Sequence, residues 1–341
     1  MIVDLEIDPY LVLGRPRIEI IPDVRYLAGR RVLVTGAGGS IGSALCRRLA
    51  VCGVSDLVML DRDESALHAT QLSIRGQALL DDGMTVLGDI RDSSWMATVF
   101  DRVRPEVVFH AAALKHQPLL ERYPAEAVKT NVIGTLNVLR ACARSGVGRL
   151  VHVSTDKAID PTCVLGASKR VAERLVAWYQ PERFLSVRFG NVFGSRGSVV
   201  ETFVWQIRAR GWVTITSPEM LRYFITSDEA VDLLIHAGEI GQSGEALTMD
   251  MGEPVPVYAL AERISEQLGI PARITYTGAR PGEKTYEALL GTGEVDYRPS
   301  HQMIRQVRVP ALSHHALADI LNSDDPMLVK KRLFSLLDGG N

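Results

Sequence analysis

The stretch RRVLVTGAGGSIGSALCRRL, Arg30 to Leu49, decides the fold. Val32, Leu33 and Val34 run straight into a glycine cluster, and beyond it Ile41, Leu45 and Leu49 recur at helical spacing. That pattern reads as a short buried strand, a tight turn and a helix. Gly36, Gly39 and Gly42 fall on the turn, where the lack of side chains lets the backbone approach an anion held at the helix N-terminus.

Outward from this unit the alternation repeats. SDLVMLD, MTVLGD, EVVFHAA, RLVHVST and FLSVRFG are further short apolar runs bounded by turn residues. Between them, AEAVKTNVIGTLNVLRACARSG and SKRVAERLVAWY carry apolar positions three and four apart, as SIGSALCRRLAVCG does. The first and last named of these helices that close on a glycine are expected to end there, at Gly146 and Gly53. Strand and helix in alternation give an α/β fold of the Rossmann type, a doubly wound parallel sheet whose ligands bind at the carboxyl ends of the strands. After about residue 195 the pattern loosens into ITSPEM, GEPVPV and GARPGEK, as in a smaller C-terminal substrate-binding lobe.

Composition narrows the function. The chain has 341 residues, 46% hydrophobic and 23% charged, with a net charge of −2 and the signs interspersed, so no basic face is available for nucleic acid. Four cysteines without a CxxC pair imply reduced thiols and no metal site. The N-terminus MIVDLEIDPYLVLG lacks the basic start of a secretory signal, and no apolar run reaches the roughly 18 residues of a membrane span. A soluble, cytoplasmic enzyme acting on small molecules is the expectation, without nucleic-acid or membrane partners.

Asp61 ends the second strand, placed for a carboxylate to bind both ribose hydroxyls of NAD. Arg62 beside it could instead receive a 2′-phosphate, but Asp61 would repel that group, which favours NAD over NADP. Asp89 ends the third strand, suited to adenine or to turn capping, and Ala111, Ala112 and Ala113 are small enough for a flat cofactor to lie close. The organisation expected is an N-terminal extension over 1–28, an NAD-binding Rossmann domain over 29–195, and over 196–341 mainly a substrate-binding lobe with some segments returning to the Rossmann domain.

TGAGGSIG, LGDIRD, FHAAALKH, TNVIGT, STDKA, GASKR, RFGNVFGSRGSV, PEMLRYFIT and RPGEKTYE follow in that order. The chain resembles, over about residues 13 to 292, the UDP-N-acetylglucosamine 4,6-dehydratase family of extended short-chain dehydrogenase/reductases in polysaccharide synthesis. LVLGRPRIEI is similar to the segment that follows the membrane helices in the long members, so a soluble relative of that branch is expected. The resemblance implies a redox-neutral cycle on a UDP-sugar: oxidation at C4, loss of water across C5 and C6, and hydride return at C6, with inversion at C5 an option.

It further implies roles. Asp156 would be the acid and Lys157 the base. Lys157 would have to be held low enough to accept a proton, which burial favours and the attraction of Asp156 opposes. Thr155 would bond the C4 oxygen and Lys169 the nicotinamide ribose. Gly36, Gly39, Ser40, Ile41, Gly42, Asp61, Arg62, Asp89, Ile90, Ala111, Ala112, Ala113, Lys115 and Asn131 would join Lys169 at the cofactor. Lys115, Asn191, Ser198, Val199, Arg222, Arg280 and Glu283 would hold the substrate, the two arginines at its diphosphate. His116 is read as structural. A homo-oligomer is expected, and the helices TLNVLRACARSG and SKRVAERLVAWYQ would serve either a dimer or the domain core.

One position departs from the short-chain dehydrogenase pattern. A Tyr four residues before Lys169 would normally take the substrate proton, and here that residue is Leu165; no Tyr stands four before any lysine of the chain. The long branch commonly has Met there. Proton transfer then falls to Asp156, to Lys157 through Thr155, or to water, with the Asp156–Lys157 pair favoured. The competing functions are a nucleotide-sugar epimerase that never dehydrates and a catalytically silent NAD-binding sensor.

Overall fold

The computed structural model describes residues 7–77, 83–179, 183–297 and 303–338. Six of its strands are the six apolar runs: β1 Arg31–Thr35, β2 Asp56–Asp61, β3 Thr85–Leu87, β4 Val107–His110, β5 Arg149–Val153 and β6 Arg183–Arg188. They lie parallel in the order β3-β2-β1-β4-β5-β6. The order reverses beside β1, which pairs with both β2 and β4, so a crevice opens between the β1 and β4 exits.

Two strands from the C-terminal half extend the sheet. Glu245–Met249 adds parallel to β6, and Ile304–Arg308 closes the edge antiparallel to it. The chain therefore returns to the nucleotide half after building the second lobe.

Both faces of the sheet are covered, which is why its strands read as continuous apolar runs. Leu33, Val58, Val108 and Leu150 point to one side with Phe100 and Leu136, and Val32, Val34, Met59 and Phe109 to the other with Leu45 and Leu49. Burying each such side chain contributes about 1.5–3 kcal/mol. The second lobe has its own core, in which Phe203, Ile207, Val213, Leu260 and Ile264 surround Val12 and Leu13 of the N-terminal extension. Arg15 fastens that extension by two 2.8 Å bonds to Glu229, whose carboxylate also caps the helix Ser227–Ile240. Among the described residues no helix is long and apolar enough to cross a membrane.

The helix around Leu45 ends at Leu49 with Ala50 as its cap, short of Gly53, whereas Thr135–Ser145 ends on Gly146 in the left-handed conformation. The apolar face of Val164–Trp178 is covered by the C-terminal helix Pro326–Asp338, with Val329 and Leu333 buried in the shared core.

One ion cluster lies inside this frame. Arg188 is fully buried and donates to Glu173 at 2.8 and 2.7 Å and to Glu294 at 2.7 and 2.9 Å; Arg170 bridges the same two carboxylates, and Ser154 donates to Glu173 at 2.6 Å. Burial pushes the Glu173 carboxyl up, but Arg188, Arg170 and Ser154 outweigh it and hold its pKa down at about 2. Because the folded-state pKa is depressed, this group contributes stability at neutral pH that is lost as pH falls from about 4.5 to about 2. Glu173→Gln should cost about 3–5 kcal/mol in denaturant unfolding at pH 7, since it leaves Arg188 short of a charge. The same variant should lose less of its remaining stability than the wild type between pH 4.5 and pH 2.

Candidate active site

The glycine turn forms one end of a long cleft. Gly36 has φ of 71°, and a Cβ there would stand 2.5 Å from the Ala112 nitrogen, so only glycine lets the β1 turn pack against the β4 exit. Asp61, at the tip of β2, accepts from the Gly38 nitrogen at 2.8 Å and from the Asp63 nitrogen at 3.0 Å, which fixes the turn to the strand beside it. Arg62 lies 3.6 Å from Asp89, which also accepts from Arg91 at 2.8 Å. Gly36, Gly38, Asp61, Arg62 and Asp89, with Gly39, Ile90, Ala111, Ala112 and Ala113, line one recess; Thr130 and Arg196 line it too. A helix N-terminus beyond a tight turn, a small-residue floor and a carboxylate at the rim fit a dinucleotide.

The cleft continues past Gly36 along Ser40, Ile41 and Gly42 to a second recess lined by Lys115, His116, Thr155, Lys157, Leu165, Lys169, Asn191, Ser195, Ser198 and Val199. Leu165 and Lys169 sit one turn apart on the helix Val164–Trp178, which places hydrocarbon next to the ammonium on the wall. Lys169 donates to the Val153 carbonyl at 2.7 Å, and burial pushes its pKa down to about 8 against the pull of Glu173. Lys115 reaches Ser195 at 3.2 Å, and burial lowers its pKa as well. Ser198 caps the helix Val199–Arg210.

At the β5 exit a short turn holds Thr155, Asp156 and Lys157. The Thr155 hydroxyl donates to Asp156 at 3.0 Å, and the Lys157 ammonium donates to Asp156 at 3.0 Å and to Asn191 at 3.3 Å. Asp156 is fully buried and not on the wall, so it reaches the cleft only through these two neighbours. Its second oxygen has no hydrogen-bond partner among the described residues.

The lowered Lys157 expected from burial is not what the site produces. Burial does push its pKa down, but Asp156 and Glu287 outweigh the loss of water and hold it above its ordinary value. Asn131 is also displaced from its expected place at the cofactor. It lies fully buried in a π-helical turn, Val128–Gly134, clasping both backbone groups of Leu114 at 2.8 and 3.0 Å and donating to Ser168 at 3.0 Å. It shapes the wall from behind.

The substrate group also divides. Lys115, Asn191, Ser198 and Val199 line the cleft, whereas Arg222, Arg280 and Glu283 do not. The Arg222 guanidinium is bound by the carbonyls of Leu221, Lys284 and Thr285 at 2.7 to 3.1 Å, so it staples the RPGEKTYE segment to the second lobe. Glu283 accepts from Thr216 and from the Arg280 nitrogen, closing a local turn.

Two contributors escaped the sequence reading. Arg196 runs from the loop after β6 back to the glycine turn, where its guanidinium donates to the Gly38 carbonyl and its nitrogen to Ser40 at 3.0 Å. Glu287, the last residue of RPGEKTYE, lies buried 3.6 Å behind Lys157. A charge in a loop gives no signal of burial, and only the spacing to Lys284 hinted at it.

The sequence profile described as "Polysaccharide biosynthesis protein" matches residues 32–309. The chain is 44% identical over 278 residues to the probable polysaccharide biosynthesis protein EpsC of Bacillus subtilis, covering 79% of this chain and 46% of that protein. It is 38% identical to the capsular polysaccharide biosynthesis protein CapD of Staphylococcus aureus, covering 87% and 51%, so it spans about half the length of both. A UDP-glucose 4-epimerase of Rickettsia canadensis is 32% identical over 78% of this chain and 79% of its own. Among solved structures, Pen from Bacillus thuringiensis is 30% identical with a TM-score of 0.76, covering 85% and 89%. MoeE5 in complex with UDP-glucose and NAD is 25% identical with a TM-score of 0.61, covering 74% and 86%.

The glycine turn can be tested without a ligand. Gly36→Ala meets both a left-handed backbone and the Ala112 contact, whereas Gly29→Ala meets the same backbone in open space. Thermal melts should show the first variant losing at least about 2 kcal/mol and the second no more than about 1 to 2 kcal/mol.

Proposed function

The chain belongs to the polysaccharide biosynthesis protein family, and from that membership and the cleft we propose that it is an NAD-dependent UDP-N-acetylglucosamine (UDP-GlcNAc) 4,6-dehydratase. The observation that carries this reading is the Thr155–Asp156–Lys157 turn, with Lys157 on the wall and hydrogen-bonded to a buried carboxylate. Removal of water across C5 and C6 needs one proton taken from C5 and one given to the C6 oxygen within hydrogen-bond reach of each other. If the proton shared at 3.0 Å shifts from Lys157 to Asp156, the amine can take the C5 proton and the acid can give one through Thr155, so that the pair ends with the protons it began with.

NAD, held by the glycine turn, Asp61 and Lys169, would accept a hydride and give it back. Asp61 supports NAD over NADP, and so does the bound NAD of the similar MoeE5. Thr155 would orient the C4 oxygen, and Leu165 would exclude water from the ring that carries the charge changes. Lys115, Asn191 and Ser198 supply polar groups to the sugar-nucleotide, and UDP-glucose in the MoeE5 complex supports a UDP-sugar as the ligand class.

A second reading has a specific support, the similarity to a UDP-glucose 4-epimerase. Pure 4-epimerisation gives Asp156 and Lys157 no task at C5 and C6, which favours dehydration.

Incubation with UDP-GlcNAc, followed by mass spectrometry and proton NMR, should give a product lighter by one water. An unchanged mass with inverted C4 would establish the epimerase instead, and no change with any UDP-N-acetylhexosamine would leave a silent NAD-binding protein. Lys157→Ala should lower turnover at least about 100-fold while the purified protein keeps its NAD content. Turnover should also fall as pH rises past about 8, because the Lys169 ammonium loses its charge there; a flat profile from pH 7 to pH 9 would remove Lys169 from the charged machinery.

A further inference from the structure

Counting protons through the proposed cycle exposes a requirement that the cleft wall does not meet. Oxidation at C4 sends a hydride to the bound dinucleotide and frees the hydroxyl proton. Elimination takes one proton from C5 and gives one to the departing C6 hydroxyl, a balance of zero. Hydride return to C6 then needs one proton at C5. Either water takes that proton and returns one at the end, or the protein holds it from the first step to the last, and at position 165, where a phenol would otherwise stand, there is only hydrocarbon.

Directly behind Lys157 is a group with no other evident task. Glu287 is 3% exposed; its Oε1 lies 3.6 Å from the Lys157 ammonium, and its Oε2 has no hydrogen-bond partner among the described residues. The charged groups facing it are Lys157, Asp156, Arg222 and Lys284, the last 3.9 Å from Oε2. Lys157 lines the cleft and Glu287 does not, so the lysine is the bridge between substrate and carboxylate.

We propose that Glu287 stores the proton released in sugar oxidation, with Lys157 as the relay. As the C4 hydroxyl transfers its proton to Lys157, the ammonium passes one of its own to Glu287. The carboxylate becomes a carboxylic acid, Lys157 ends protonated as it began, and the reverse transfer supplies C5 at hydride return. Burial pushes the Glu287 carboxyl up toward its protonated form, while Lys157 draws it down. The proposal rests on the dehydratase reading, and it makes Glu287 a positioning residue that acts through Lys157.

The probe is UDP-N-acetyl-6-deoxyglucosamine, which can be oxidised at C4 but has no C6 hydroxyl to lose. The NAD-loaded protein is mixed with it at pH 7 in weak buffer, following NADH by absorbance and released protons by an indicator dye. Wild type should form NADH and release well under half a proton for each. Glu287→Gln should form NADH at least about ten-fold more slowly and release about one proton each. One proton per NADH in wild type overturns the proposal, as does a Gln variant that matches wild type in rate and proton count. If Glu287→Gln does not fold, Glu287→Asp replaces it: the proton should be retained at reduced rate, and its full release overturns the proposal. Independently of turnover, carboxyl-labelled glutamate NMR of the NAD-loaded protein should show one carbon titrating above the ordinary range and missing from Glu287→Gln; its absence from wild type overturns the proposal. Absence of NADH with this probe and of dehydration with UDP-GlcNAc would instead overturn the dehydratase reading and the store with it.

Discussion

The buried pairing of Arg188 with Glu173 and Glu294 is the constraint on which the site's geometry depends. Glu173 belongs to the helix that carries Leu165 and Lys169, Arg188 ends β6, Glu294 comes from the segment after RPGEKTYE, and Ser154 follows β5 directly. Three successive parts of the chain and a fourth 106 residues beyond Arg188 are thus fixed to one another by charge-assisted bonds in a place without water. Hydrophobic burial could have assembled the same layers, but it has no direction. Bidentate pairing does, and it sets the distance between the β5 exit and the helix beside it. Desolvating these ions is expensive, and the geometry is worth that expense only because the chemistry nearby depends on tenths of an ångström.

From the same cluster follows the division of the lysines. Lys169 faces a carbonyl and has its nearest carboxylate, Glu173, already engaged by arginines, so burial prevails and its pKa drops to about 8. Lys157 sits against Asp156 and Glu287, and there attraction prevails over burial. Two buried lysines of one cleft are moved in opposite directions by the supply of free carboxylate, a pattern that separates roles between otherwise identical groups.

How far the sequence could be read follows from what its signals encode. Period and punctuation encode burial and turns, so the six parallel strands and the glycine turn were legible, whereas the contact of Gly36 with the Ala112 backbone was not. Glu245–Met249 and Ile304–Arg308 were not, because the pairing of the first with β6 and of the second with the first is decided by chain return across more than fifty residues, which no local pattern records. Asn131 was named but misplaced, since the π-helical turn that swings it inward leaves no mark on apolar spacing. Arg222 was misread for a related reason: a guanidinium suited to phosphate is equally suited to three carbonyls, and only tertiary structure says which it meets. The opposing pulls of burial and Asp156 on Lys157 were legible, but the added pull of Glu287 was not, because it stands 130 residues away along the chain.

Leu165 then takes on a meaning that a missing tyrosine alone would not have. A phenol on the wall would accept the C4 proton where substrate and water can both reach it. With hydrocarbon in that place, Lys157 is the cleft-facing link to carboxylates that water does not touch. A proton held behind a lysine exchanges with solvent only when the lysine lets it through, and this would suit the proposed cycle, in which the dinucleotide has to stay reduced until water has left. The alkyl residue therefore does more than abolish a base: it lowers the local dielectric around Lys169 and Lys157 and lengthens the reach of each carboxylate on them. On this view loss of the tyrosine and burial of Glu287 are two halves of one arrangement, in which acid–base function has been moved from the surface of the cleft to the layer beneath it.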